Sequence, residues 1–196
     1  MSNTKVRAYT DKQIIDRVKS LASYKKTPKG YWICGIQSNE DTPNVMDDKF
    51  YVFFHNHFIS VLTGTTNAGT YGLLNWKKWS KRGAAQIKPD EWYYDVWTRG
   101  LHNGKVEALR QTGAFKVIRD NNNNSKSGDI EAWTWEKRRG LNFHPNTYSL
   151  NSTTKRWLIG RWSTGCQVVN DIPKYKRLMS FTKGQNVFTY VLLKEF

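Results

Sequence analysis

The chain has 196 residues, with 31 lysines and arginines against 16 aspartates and glutamates, a formal charge of +15, and a mean hydropathy of −0.71. That length bounds one domain with a real hydrophobic core, and 14% aromatic residues exclude a disordered chain, which lacks bulky core material. No apolar run is long enough to span a bilayer, and the surplus charge calls for an anionic partner: nucleic acid, or a bacterial wall with its carboxylates and anionic polymers.

Behind Met1 no apolar stretch follows, so no secretory signal is expected. The chain reads as made in a cytoplasm, reaching any wall by lysis or from a virion. Thr10-Asp-Lys-Gln13 reads as a capping box, a hydroxyl at the N-cap with Gln three residues on. Ile14, Ile15, Val18, Leu21 and Ala22 then share one helical face to about Ser23. Pro28 and Gly30 end this unit, so residues 1–30 are taken as a helix and connector, and 31–196 as the main domain.

From Tyr31 the pattern changes to short strands. Tyr31 to Gln37, Phe50 to Phe54 and Phe58 to Thr63 are strand-like, with a hairpin turn at His55-Asn-His57. Gly64 to Gly72 is turn-rich. Ala84 to Ile87, Trp92 to Trp97, Lys105 to Leu109 and Phe115 to Arg119 follow, the last two separated by a turn at Gly113. Asp120 to Asp129 is a polar turn region. Asp171 to Ser180 suits a short helix, and Asn186 to Leu193 a closing strand. The fold class is mostly β (α+β), a single domain with one or two later short helices.

The two cysteines, Cys34 and Cys166, form no C-x-x-C pair, which argues against structural zinc and thioredoxin-like chemistry. We take both as free thiols. The segment Arg161-Trp-Ser-Thr-Gly-Cys-Gln-Val-Val169 carries most of the chemical information. Gly165 permits a tight turn and close approach of a substrate carbonyl. Backbone N–H groups around Thr164, Gly165 and Cys166 can converge on an oxyanion. A cysteine attacks as its thiolate and needs a base or cation nearby. His144, upstream in Leu141-Asn-Phe-His-Pro-Asn146, is the candidate base, since Pro145 forces an extended backbone there that suits a residue projecting from a strand end into a cleft. Arg156 and Arg161 add positive potential that favours a thiolate. The competing reading of Gly165-Cys166 is a buried structural cysteine at a strand start.

His144, a loop and Ser163-Thr-Gly-Cys166 resemble the signature of the L,D-transpeptidase catalytic domain, a histidine at a strand end followed by Ser-x-Gly-Cys. The strand and Thr/Gly-rich loop Ser60-Val-Leu-Thr-Gly-Thr-Thr-Asn-Ala-Gly-Thr-Tyr-Gly72 is similar in character to that family's substrate-binding segment. The resemblance covers roughly Phe50 to Val169, and the Asp120-Asn-Asn and Gly-Cys-Gln-Val stretches are similar to phage-encoded members. It implies a β-sandwich domain, a catalytic group of Cys166, His144, Gly165, Thr164 and Ser163, and a substrate-binding group of Arg161, Trp162, Thr63, Gly64, Thr65 and Asn142. It implies no cofactor and no metal. In that family the cysteine is acylated by a peptidoglycan stem peptide, and an amine or water resolves the intermediate. The sequence departs from the family at Thr164, where a second histidine is common, at Val168, where an arginine binds the substrate carboxylate, and at Pro145-Asn146, where Gly-Thr is usual. The expected partner is bacterial peptidoglycan, with other virion proteins and anionic surfaces behind it. A nucleic-acid-binding or structural virion role without catalysis is the alternative.

Other features read as scaffold. His55-Asn-His57 and His102-Asn-Gly104 suit solvated turns. Asp120, Asn122, Asn124 and Glu131 match calcium-loop spacing, but Ser125 stands where the loop needs glycine, so a polar turn is preferred. Lys77, Lys78, Lys81 and Arg82 with Trp76 and Trp79, and Lys137, Arg138 and Arg139 with Trp133 and Trp135, are basic-aromatic clusters that can stack on bases or sugars. Most of these tryptophans are expected to face inward.

Overall fold

A computed structural model describes residues 6–40, 42, 44–126, 132–137 and 140–196. Glu131, Arg138 and Arg139, singled out above, lie outside the described residues.

Helix α1 (Asp11–Lys19) starts at Thr10, whose side chain accepts from the Gln13 N–H while Gln13 reaches back to the Thr10 backbone, completing the capping box. It stops at Ser20, three residues before the sequence-based limit. Its buried face, Ile14 and Val18 with Leu21 beyond, packs with Trp32, Phe53 and Trp92 into one cluster.

The strands are β1 (Tyr31–Gln37), β2 (Asp48–Phe54), β3 (His57–Thr65), β4 (Ala84–Ile87), β5 (Glu91–His102), β6 (Val106–Gln111), β7 (Ala114–Asp120), β8 (Thr134–Lys137), β9 (Phe143–Pro145), β10 (Gln167–Val169) and β11 (Val187–Lys194). Two further helices are α2 (Thr70–Leu74) and α3 (Ile172–Phe181). The fold is thus mostly β with three helices. The sandwich implied by the resemblance is replaced by a different layering. Eight strands close into a barrel in the order β1-β11-β5-β6-β9-β10-β3-β2, and β4-β7-β8 form a separate three-stranded sheet. Closure follows because β1 is paired on both edges, parallel to β11 and antiparallel to β2, and the short strands β9 and β10 bridge β6 to β3. A closed ring leaves no unpaired edge within it.

Alternation along the strands separates two faces. Ile33, Phe50 and Val52 join Trp97, Phe143 and Tyr190 in the main core, which also takes Ala85, Ile87, Phe115 and Val117 from the small sheet. Trp32, Cys34, Ile36, Tyr51 and Phe53 turn the other way, under α1.

A polar chain runs through this core to the neighbour of Cys166. The Tyr190 hydroxyl donates to Gln167 Oε1 at 2.6 Å, and Gln167 Nε2 donates to the Thr66 carbonyl at 3.1 Å. Thr66 donates its N–H and hydroxyl to Asp48 Oδ2 at 2.6 and 2.8 Å, and the Ser38 N–H donates to Asp48 Oδ1 at 2.7 Å. Buried polar groups are tolerated when bonded in this way. Gly35 makes room for the chain: a Cβ there would sit 2.1 Å from the Tyr190 hydroxyl oxygen. Gly35→Ala is therefore expected to cost about 1–3 kcal/mol in chemical denaturation. Combined with Tyr190→Phe, which removes the colliding oxygen, it should cost less than the sum of the two. Additive costs would contradict the collision.

Candidate active site

The residues around Cys166 are set by the approach of the loop to β4. Gly165 has φ +134°, and a Cβ on it would lie 2.7 Å from both Cβ and O of Ala85. Only glycine fits that backbone and that contact. The Ala85 N–H donates to the Thr164 carbonyl at 2.9 Å, tying the loop to the small sheet. Ser163 is buried and acts as a brace: its hydroxyl accepts from the Gly165 N–H at 3.0 Å and donates to the Cys166 carbonyl at 2.9 Å. The Gly165 N–H is thereby committed, whereas those of Thr164 and Cys166 have no hydrogen-bond partner among the described residues.

Strand β10 leaves the loop and pairs in parallel with β9, Gln167 beside Phe143 and Val168 beside His144. The Gln167 N–H donates to the Asn142 carbonyl at 2.9 Å, so Cys166 enters next to Asn142. The segment Gly140–Asn142 is held from inside the barrel. Trp97 Nε1 donates to the Leu141 carbonyl at 2.8 Å, Gln111 Oε1 accepts from the Leu141 N–H at 3.0 Å, and Asn142 Oδ1 accepts from the Gln111 N–H at 3.0 Å. The Cys166 thiol donates to the Gly140 carbonyl at 3.2 Å.

Cys166 opens into a cleft of about 700 Å³. One wall is Arg161, Trp162 and Thr164 from its own loop, and another is Gly140, Leu141 and Asn142. The β5–β6 hairpin contributes Leu101, His102, Asn103 and Gly104, and the rim carries Trp79, Arg110 and Arg119. Arg119 is engaged by Glu136, and the Arg161 guanidinium lies 4.5 Å from the Tyr71 ring centre. Among the described residues no carboxylate lines the cleft.

Several sequence expectations are corrected here. Thr63, Gly64 and Thr65 do not line the cleft. Thr65 and Gly64 pair with Val168 and Val169 of β10; Thr63 donates to Asn170 Oδ1 at 2.5 Å, and a Cβ on Gly64 would be 2.1 Å from the Val168 carbonyl oxygen. They seat the strand that follows Cys166, and the sequence offered no sign of which edge of β3 would be covered. His144 does not project into the cleft. It is fully buried and lies face to face with His102, ring centres 3.7 Å apart and planes 14° from parallel. His102, read from sequence as an exposed turn residue, is thus the imidazole lining the cleft. Arg110 was likewise not singled out. The signal for both was the Asn103-Gly104 turn: His102 and Arg110 are on the two strands that lead into and out of it. Arg156 is exposed and absent from the cleft. Trp76 is buried as expected, but Trp79 and Trp135 are exposed. Asp120 is buried at the end of β7, and the Asn122 and Asn124 side-chain oxygens accept from the Asn124 and Lys126 N–H groups. No group of three metal-ligating side chains occurs among the described residues.

The resting electrostatics also differ from the expected thiolate. Burial pushes the Cys166 thiol up to about 11, with only the Asn142 N–H pulling it down. Burial and then His102 press His144 down to about 3, against the raising effect of the Pro145 carbonyl. The Pro145 carbonyl lies 2.9 Å from His144 Nδ1, so that nitrogen carries the proton and Nε2 keeps its lone pair. Nε2 is buried with no partner. The free site therefore holds a neutral thiol and a neutral imidazole.

Compared with protein-family models, curated protein sequences and solved structures, the chain matches none of them.

These buried groups give two opposing pH dependences. His144 has an ordinary value of 6.5 and a folded value of about 3; the unfolded chain binds the extra proton, so its contribution to stability is lost as pH falls from about 6.5. Asp48, raised by burial and by Asp47 from 3.8 to about 7, binds its proton in the folded state, so its contribution is lost as pH rises from about 4 to about 7. Each slope is at most about 1.4 kcal/mol per pH unit. Between pH 4 and 6.5, stability of His144→Asn should fall with rising pH and that of Asp48→Asn should rise, by denaturant midpoint. Identical profiles for both variants would contradict these assignments.

Proposed function

We propose that this chain is a cysteine-dependent peptidoglycan-processing enzyme of the L,D-transpeptidase kind. The observation that carries the reading is the pairing of β9 with β10, which sets the strand of His144 beside the strand entered by Cys166 at the floor of an open cleft. A structural cysteine has a different look in the same molecule. Cys34 is wholly buried under α1 with its thiol pushed far up, whereas Cys166 opens into the cleft.

In the proposed reaction the Cys166 sulfur attacks the carbonyl carbon of a stem-peptide amide. The thiol proton passes to an imidazole base, His144 Nε2 by the resemblance once the bound complex brings the two together, and then to the departing amine as the C–N bond breaks, leaving a thioester on Cys166. The Thr164 and Cys166 N–H groups are the free donors for the oxyanion. Water or an incoming amine then adds to the thioester and restores the thiol. Because the resting pair is neutral, proton transfer belongs to the bound complex, where the substrate displaces the Gly140 carbonyl from the thiol.

Arg110 and Arg161 face this cleft without a carboxylate partner among the described residues, which suits a carboxylate-bearing stem. Val168, at the position of the family's arginine, packs with Met46 and Ile159 instead. The +15 charge suits retention on an anionic wall. No helix of the described residues is long and apolar enough to cross a membrane; the proposed place of action is the wall, reached by lysis or from a virion.

Incubation with purified peptidoglycan, followed by mass analysis of soluble muropeptides, tests this reading. Wild type should release or cross-link stem peptides, and Cys166→Ala should reduce the rate at least about 1000-fold, as loss of a covalent nucleophile does. Equal product from both proteins would remove Cys166 from the chemistry. No product from walls of several chemotypes, together with steeply salt-dependent DNA binding, would favour the nucleic-acid reading.

A further inference from the structure

The β5–β6 hairpin brings an imidazole to the site that neither the Cys166 loop nor the β9 segment supplies. In the hairpin register His102 pairs with Val106 and Gly100 with Ala108. The Leu109–Phe143 pair then puts β6 against β9. Across β6 the His102 ring lies flat on His144, ring centres 3.7 Å apart.

Its protonation pattern is fixed by Asn142. The Gln111 N–H donates to Asn142 Oδ1 at 3.0 Å, which settles which end of that amide is oxygen. The Asn142 NH2 therefore faces His102 Nδ1, at 3.2 Å, and Nδ1 must accept. His102 then carries its proton on Nε2; Asn103 Nδ2 lies 3.1 Å from that nitrogen, so the Asn103 amide must turn its oxygen toward it to accept. Asn142 in turn is the residue whose backbone N–H pulls the Cys166 thiol downward and whose carbonyl holds the Gln167 N–H.

We infer that His102 is a positioning residue of the Cys166 site: by accepting from the Asn142 side chain and covering His144, it fixes the peptide that faces the sulfur. This rests on the reading of Cys166 as nucleophile. His102 needs no contact with the reacting atoms. Its effect passes through one hydrogen bond to Asn142, and the stack on His144 is the lesser contribution.

Alkylation of Cys166 by iodoacetamide at pH 7.5, followed by peptide mass mapping, reads this without any peptidoglycan. Buried Cys34 is the internal control for folding. His102→Phe keeps a flat ring against His144 but cannot accept from Asn142, and should slow alkylation about tenfold. His102→Gln loses the ring but keeps an acceptor oxygen, and should recover most of the wild-type rate. Asn142→Ala should be slow as well, and adding His102→Phe to it should change little, since both cut the same bond. Asn142→Ala alone, compared with His102→Gln, keeps the test decisive if His102→Phe folds poorly and exposes Cys34. A wild-type rate for His102→Phe, or His102→Gln as slow as His102→Phe, would overturn the proposal while leaving the nucleophile reading standing. Failure of wild-type Cys166 to react even near pH 11, where about half of a thiol raised that far is thiolate, with Cys34 still protected, would overturn both.

Discussion

Strand β10 is three residues long, yet the barrel closes only through it. Gln167, Val168 and Val169 must pair with β9 on one side and with β3 on the other, and the chain must arrive at that slot through the gap beside β4. The Gly165 backbone at φ +134°, pressed against Ala85, is the one conformation that delivers it. Cys166 is the last residue before the slot, so its sulfur is placed by the same constraint that completes the barrel. The Tyr190–Gln167–Thr66–Asp48 chain then fixes the strand from the interior. A reactive residue set on a rigid sheet edge costs little reorganisation when substrate arrives.

The resting site is electrically quiet. A thiol raised toward 11 beside an imidazole lowered toward 3 does not form an ion pair unaided, because both charged forms would be desolvated. In the proposed reaction the balance changes when substrate occupies the cleft rimmed with arginine and the two loop amides stabilise the negative charge that develops on it. Such an arrangement protects a cysteine from idle reaction in the absence of a ligand and concentrates reactivity in the bound complex. It also distinguishes the four histidines. His55 and His57 sit at an exposed hairpin turn, while His102 and His144 form one stacked unit in the wall behind the sulfur.

Where the sequence was informative, the reason was local. The strands at Tyr31–Gln37 and Ala84–Ile87 coincide with apolar runs cut off by turn residues, and the capping box at Thr10 is observed atom for atom. The tight turn at Gly165 was legible because glycine alone tolerates such a backbone, whereas the reading of Cys166 rested on its combination with Ser163, His144 and the Thr/Gly-rich segment. What was not legible depends on pairing between distant segments. Strand β5 runs on to His102, through Thr98, Arg99 and Gly100, which carry no apolar signal, because β6 and β11 supply its partners. Strands β8 and β9, at four and three residues, are too short for periodicity to register. The exclusion of Thr63, Gly64 and Thr65 from the cleft follows from which side of β3 receives β10, and the stacking of His102 on His144 from β6 being set against β9. Neither fact is carried by the residues concerned.

The central claim is that Cys166 becomes covalently acylated. Intact-mass analysis of the protein, acid-quenched during turnover of a soluble stem-tetrapeptide muropeptide, addresses it directly. The account predicts a mass increase equal to the acyl fragment, mapped to the peptide holding Cys166, released by hydroxylamine as a thioester is, and missing from Cys166→Ala. Turnover of the muropeptide with no adduct, and with Cys166→Ala equally active, would contradict it.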